Sequence, residues 1–395
     1  MDRLLILAVG ILQIPIIQKA KEMGVYVIAA DGSDHAPGLA LADKAIVANI
    51  CDKEVMLDIA KREGVTGVIH PCSEVSMNVM GYINDTLGLA GISEETALKA
   101  TNKALMRKAF AEYGASSPRS IETFTADEAW EVFKRMDGNG ILKPSRNSGS
   151  RGIAKITKAI CYEEFCTDYA ISMENSRDHS VLIEDFIEGS EYSIEVLIYN
   201  NDIHILTITD KVTTGAPHFV ELGHSQPTQI STEMQSLVHQ TVRDGIRALG
   251  LNNCAAHAEV KIQNGKVYIM EIGARLGGDF ITTNLTPLST GIDMVAGAIM
   301  LALGHEPDLT PKHAAQGSCV RYITPKPGIV KSIERVNDVP SCIKEYEIYK
   351  QVGDSVSEIC SSLDRSGHVI AVGTSVKDAV ANAEDIVRRT IVTTE

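Results

Sequence analysis

Two glutamates, Glu259 and Glu271, stand on two apolar runs, AAHAEVKI and KVYIMEI, separated by Gln263-Asn264-Gly265. Asn-Gly between such runs is a strong hairpin signal, so both carboxylates belong to one antiparallel strand pair. Two nearby carboxylates suit a hard cation such as Mg²⁺, which takes oxygen ligands and bridges phosphate oxygens. Parity constrains the idea. A two-residue Asn264-Gly265 turn would pair Glu259 with Met270 and send Glu271 to the opposite face. A shared face therefore calls for an odd loop, for example three residues with Gly265 in the left-handed position, and a regular two-residue hairpin would remove the paired site. The competing reading is two glutamates on a half-solvated sheet, where alternating charge is ordinary.

Lys143 follows Ile141-Leu142 and precedes Pro144 and the loop Ser145 to Gly152. Gly149 and Gly152 let the backbone turn N–H groups toward an anion, with Lys143 and Arg151 adding positive charge. The GK[ST] ending of a P-loop is absent, and a plain hairpin tip reads equally well. In Glu184 to Glu191, EDFIEGSE, the acidic groups would accept from hydroxyls or an amine while Phe186 and Ile187 offer an apolar wall. Arg275 lies four residues past Glu271, where a guanidinium would neutralise charge on an anionic intermediate. The stretch from Ile208 to Thr228 reads as a binding loop, with Lys211 or His224 for a carboxylate and Glu221 for an amino group. Glu74, in HPCSE beyond a strand end, is a further candidate.

The elements that must hold these groups begin with Leu4 to Val9, a helix from about Pro15 to Met23 and Val25 to Ala30, in β-α-β order. Lys53 to Glu63 and Val65 to His70 extend this into an open, mainly parallel sheet. One Gly after Val9 where three are needed argues against a dinucleotide fold. Thr101 to Glu112 reads as a helix, and Ile141 to Ser193 as a small α+β insertion with two hairpin-like pieces. Helices follow at Asp293 to Leu303 and Ser375 to Arg389. With 395 residues, 44% hydrophobic and a net charge of −14, the chain is large enough for two or three domains and is a poor generic nucleic-acid binder. Eight scattered cysteines without a CxxC pair point to the cytosol, and no apolar stretch is long enough for a membrane span.

In chain order these pieces resemble the ATP-grasp superfamily of carboxylate-amine ligases. TNKALMRKAF is similar to the family's helix with its first nucleotide lysine, and ILKPSRNSGSRGI to its second lysine and phosphate-covering loop. VLIEDFIEGSEYSIE resembles the adenine hinge, and HAEVKI with MEIGARLGG the metal-binding strands and catalytic arginine. The resemblance implies an α/β ATP-grasp fold with an N-terminal open parallel α/β domain (1–98), an ATP-grasp domain (99–305) with an α+β lid at about 118–192, and a small C-terminal domain (306–395). It implies ATP and Mg²⁺ (or Mn²⁺) as cofactors. Lys103, Lys143, Ser150 and Gly152 would meet the triphosphate, Glu184, Phe186 and Ile187 the base, and Glu191 the ribose. Glu259 and Glu271 would hold metal, and Arg275 would be catalytic. Many members carry Asn two residues after the second metal Glu; here it is Gly273, so a second ion would rely on water or another side chain. The activity implied is ADP-forming ligation of a small carboxylate, foremost an amino acid, to an amine through an acyl phosphate, by a cytoplasmic enzyme for which the resemblance also implies a homodimer. The alternatives are a purine-pathway ligase on a phosphoribosyl amine and a non-catalytic ATP-binding protein.

Overall fold

The computed structural model describes residues 1–147, 151–215 and 218–395. The expected phosphate contact Ser150 lies outside the described residues. The first apolar run forms the strand Arg3–Leu7, with Leu4 to Leu7 wholly buried. It is interior to a parallel sheet in the order Lys44–Val47, Tyr26–Asp31, Arg3–Leu7, Gly67–Ile69. Helices cover such a sheet on both faces, which is why its strands read as continuous apolar runs. The helix Ile14–Glu22 starts with Pro15 in its first turn, and Lys53–Arg62 is capped by Asp52, which accepts from the Val55 N–H.

This unit docks through Gly67, where a Cβ would run into the Ala302 backbone at the end of the helix Met294–Ala302. Just beyond, His70 donates from Nδ1 to the Leu7 carbonyl (2.9 Å) and accepts at Nε2 from the Ser76 N–H (3.2 Å). Burial pushes the His70 pKa down to about 4, so the neutral ring pins the 70–76 turn that carries Glu74. No single helix among the described residues is long and apolar enough to cross a membrane.

The lid is an antiparallel sheet in the order Ser120–Thr123, Val181–Asp185, Gly140–Pro144, Ala154–Ile156. Helices Ala126–Lys134 and Tyr162–Glu174 back it, with Trp130 edge-on to Phe165 at 5.0 Å between ring centres. Only one of the two expected hairpin-like pieces is a hairpin, the pair Gly140–Pro144 and Ala154–Ile156. Val181–Asp185 and Ser190–Tyr199 belong to different sheets, so the FIEG segment is a crossing between lid and body. Gly189 makes that crossing at φ +116°, pressed against the Ile262 carbonyl where no Cβ fits.

The body is an antiparallel sheet of eight strands: Lys266–Gly273, Cys254–Gln263, Ser190–Tyr199, Asp202–Thr213, Glu221–Gln226, Gly317–Tyr322, Gly367–Gly373, Ile343–Ile348. The last three come from beyond residue 306, so one sheet runs through the body and the C-terminal segment. The helix Val376–Arg389 packs there, with Ser375 and Asp378 forming a capping box.

The hairpin carrying the two glutamates corrects the sequence argument. Gln263 pairs with Lys266 across a two-residue turn, with Asn264 at φ +52° and Gly265 at +74°. No odd loop exists. A β-bulge between Glu259 and Val260 restores what the turn denies: Val260 pairs with Ile269, Met270 is left extra, and Glu259 pairs directly with Glu271. The paired carboxylates survive because the odd residue is in the strand.

Candidate active site

The helix Lys103–Tyr113 starts at Asn102, whose side chain accepts from the Leu105 N–H. Asn102 is extended and splits the expected continuous helix from Glu94–Thr101. This places Lys103 on the first turn, its N–H donating to the Ser145 carbonyl at 2.8 Å. Arg107, one turn on, donates to Glu184 Oε1 (2.7 Å) and to the Met270 carbonyl (2.8 Å), which is the extra residue of the bulge. Lys143 takes the other Glu184 oxygen at 2.9 Å. Burial alone would raise the Glu184 pKa, but the two cations bring it down to about 2. The Glu184 carboxylate is wholly buried and does not line the cavity, which corrects its expected contact with a base. Phe186 and Ile187 do line it.

A cavity of ≈ 310 Å³ lies between lid and body. One end is apolar, formed by Ile141, Ile153, Phe186, Ile187 and Met270. Lys155 Nζ sits 4.0 Å from the Phe186 ring centre. The other end holds Lys103, Lys143, Glu191, Glu259, Glu271 and Arg275. Lys103 Nζ meets Glu271 at 3.0 Å. Burial opposes its charge, and Glu271 with Glu74 holds its pKa above the ordinary value. Gly152 does not line this cavity; its φ of +74° turns the chain, and a Cβ would lie 2.7 Å from Asn175 Cβ.

A second cavity, ≈ 680 Å³, shares Glu221, His257, Glu259 and Arg275 with the first. The stretch expected as a binding loop is mostly a hairpin of Asp202–Thr213 and Glu221–Gln226, in which Lys211 pairs with His224. Lys211 Nζ lies 2.6 Å from Glu191, 3.0 Å from Glu259 and 3.7 Å from Glu221. These carboxylates outweigh its burial and raise its pKa. Its ammonium is committed to three carboxylates, which corrects its expected role as a receptor for a substrate carboxylate. His224 is buried with Nε2 3.4 Å from Asp279, while Glu221 keeps partial exposure on both cavities. Glu74 meets Arg275 at 3.4 Å. Burial, then Glu271, raises the Glu74 pKa. Arg275 folds over Gly273, where a Cβ would sit 3.2 Å from its Cγ.

Sequence reasoning missed His257 and Glu195, which meet at 2.6 Å and are register partners on adjacent strands. Burial disfavours the charged ring, but Glu195 raises the His257 pKa to about 9. His257 Nε2 lies 3.6 Å from Glu259. Lys211 is the main cause holding the Glu259 pKa well below the carboxylate range. The His257/Glu259 alternation was visible in HAEVKI; the partner strand was not.

Glu259 and Glu271 are hard oxygen donors side by side on the cavity wall, a donor set that fits Mg²⁺ or Mn²⁺. Among the described residues no group of three or more His, Cys, Asp or Glu is arranged to hold a metal ion. The two carboxylates would therefore share such an ion with phosphate oxygens and water.

Residues 137–284 match the ATP-grasp domain, and residues 321–395 match the L-amino acid ligase C-terminal domain 2. Alanine–anticapsin ligase of Bacillus subtilis is 25% identical over 291 residues, covering 68% of this chain and 61% of that protein. The chain spans about three fifths of the length of the curated relatives it matches. L-amino acid ligase from Bacillus licheniformis superposes with a TM-score of 0.83 at 19% identity, covering 100% of this chain and 99% of that one. Phosphoribosylglycinamide synthetase from Anaerococcus prevotii gives 0.81 at 24% identity over 100% of both chains. The chain thus carries an ATP-grasp domain and an L-amino acid ligase C-terminal domain, in an ATP-grasp fold that these solved structures share over its whole length.

Proposed function

We propose that the protein is an ADP-forming ligase that joins a small carboxylate, foremost an amino acid, to an amine. The observation that carries this reading is Glu259 facing Glu271 through the bulge, with Lys103, Lys143 and Arg275 around them, where two cavities meet. The first cavity fits a nucleotide, its base on Phe186 and Ile187, Glu191 near the ribose, and its phosphates toward Lys103 and Lys143. A substrate carboxylate oxygen attacks the γ-phosphorus and ADP leaves, giving an acyl phosphate. The amine attacks the acyl carbon, phosphate departs and the amine releases a proton, leaving an amide. Lys103 and Lys143 neutralise charge moving onto ADP, and Arg275 holds the acyl phosphate and its tetrahedral successor. A bound Mg²⁺ would supply further neutralisation of phosphate charge. Glu74 fixes Arg275, and Glu221 is the carboxylate available to an amino group.

The names of the amino-acid ligase relatives support an amino acid as substrate. Eight unpaired cysteines fit a cytosolic enzyme, and a homodimer is part of the same reading. The test is ADP and phosphate release from ATP and Mg²⁺ across amino acids and small carboxylates, singly and in pairs. Release should require a particular pair and yield the amide mass. Arg275→Ala should lower it by roughly 10²- to 10³-fold, as loss of an oxyanion donor does. Formation of AMP and pyrophosphate would overturn the acyl-phosphate route.

A further inference from the structure

Arg365 follows the short turn Ser362–Asp364 in the C-terminal segment and is almost enclosed. Its Nη1 and Nη2 donate to the two oxygens of Asp279 at 2.7 and 2.8 Å, and its Nε donates to the Ser362 carbonyl at 2.8 Å. The guanidinium lies 3.8 Å from the Tyr322 ring centre. Such a planar, doubly bonded and stacked group defines one geometry, which a lysine cannot reproduce.

Asp279 is four residues past Arg275 and ends the turn that carries it. Asp279 (φ +51°) and Phe280 (φ +64°) are consecutive non-glycine residues in the left-handed region, a strained arrangement that persists only where its surroundings enforce it. Both restraints come from the C-terminal segment: Arg365 on Asp279, and the His368 ring stacked on Phe280 at 4.3 Å. The same segment reaches the opposite side of the second cavity. Arg365 Nη1 is 3.5 Å from the Glu221 carbonyl, and Ser362 Oγ is 3.4 Å from the Glu221 carboxylate. Asp279 in turn contacts His224. Cys360 to Leu363 form the cavity's far wall.

We propose that Arg365 is a positioning residue, whose clasp on Asp279 holds the Arg275 turn and seats the Cys360–Leu363 wall that limits the second cavity to a small amine. Clasp and wall act as one piece. The selection of the acceptor rests on the ligase reading; the holding of the turn does not.

The experiment uses the whole chain with Arg365→Gln and the isosteric Asp279→Asn, singly and together. Amide hydrogen exchange should rise about tenfold or more in 275–285 and 218–226 in each variant, because the restraint on a strained turn is gone. ATP affinity should stay within about threefold, since Arg365 does not line the first cavity, while the KM for the amine rises about tenfold or more. The double variant should be no worse than the poorer single one, the signature of one shared interaction. Unchanged exchange in 275–285 in both single variants would overturn the positioning role. Raised exchange with an unchanged amine KM would overturn the role in acceptor selection. Wild-type protein without turnover for any amine would count against the ligase reading, and the exchange measurement would still decide the clasp.

Discussion

Glu184 and Glu271 are the same side chain in opposite circumstances, joined by one arginine. Glu184 has both oxygens closed by Arg107 and Lys143 and no exposure, whereas Glu271 meets Lys103 directly, has Arg275 nearby, and keeps a face on the cavity. The first is a strut. It fixes Lys143 from below and holds Arg107, whose Nη2 captures the Met270 carbonyl at the bulge. The second, on the proposed function, is the working group: it faces the cavity and its lysine partner could give way to a ligand cation. A carboxylate with no remaining acceptor capacity serves geometry, and one with capacity facing a cavity serves chemistry.

The largest expected effect separates them by activity. Glu271→Gln should lower Mg²⁺-dependent ADP formation by about 10²-fold or more, as loss of a carboxylate that would hold the metal does, with a smaller loss of stability than Glu184→Gln because only Lys103 is left with a neutral partner. A variant that turns over normally would show that Glu271 is only the partner of Lys103. Glu184→Gln should act in the other direction, costing about 3–5 kcal/mol of stability by leaving two buried cations with a neutral partner. Urea unfolding checks this, and a loss below about 1 kcal/mol would remove the strut from the account.

Acid should erase that second difference. The Glu184 pKa is depressed in the fold, from the ordinary 4.5 to about 2, so its contribution is present above pH 4.5 and is lost as pH falls from there toward 2. The stability gap between wild type and Glu184→Gln should therefore be flat from pH 7 to 5 and shrink below pH 4.5. A gap that grows with acid would contradict the ion-pair origin.

What the sequence disclosed follows the range of the interactions. The first β-α-β unit and the presence of a hairpin around Asn264-Gly265 depend on residues a few positions apart and were legible; the parity of its loop was not, since an odd loop was expected and a two-residue turn is found. The bulge was not, because the Met270 carbonyl it leaves over is taken by Arg107, 163 residues away in the chain. His257 was missed although it alternates with Glu259 in HAEVKI, and Glu195 could not be found without the strand register. Lys211 was read as a free receptor because its three carboxylates come from separate strands. The Arg365–Asp279 clasp spans 86 residues and carries no local pattern.

The smallest expected effect decides whether turn or bulge aligns Glu259 with Glu271. Asn264 holds φ +52°, where an alanine Cβ is strained by about 1–2 kcal/mol, so Asn264→Ala should lower stability by roughly that amount. If the bulge sets the register, Glu259 still faces Glu271 in this variant, because Arg107 continues to hold the Met270 carbonyl. Mg²⁺-dependent ADP formation should then stay within about twofold of wild type, since no group at the cavity has moved. A loss comparable to that of Glu271→Gln would instead make the turn the element that aligns the pair, and Arg107 a bystander. The same comparison gives the converse: removing Glu184 should disturb the site through Arg107 even though Glu184 never faces the cavity.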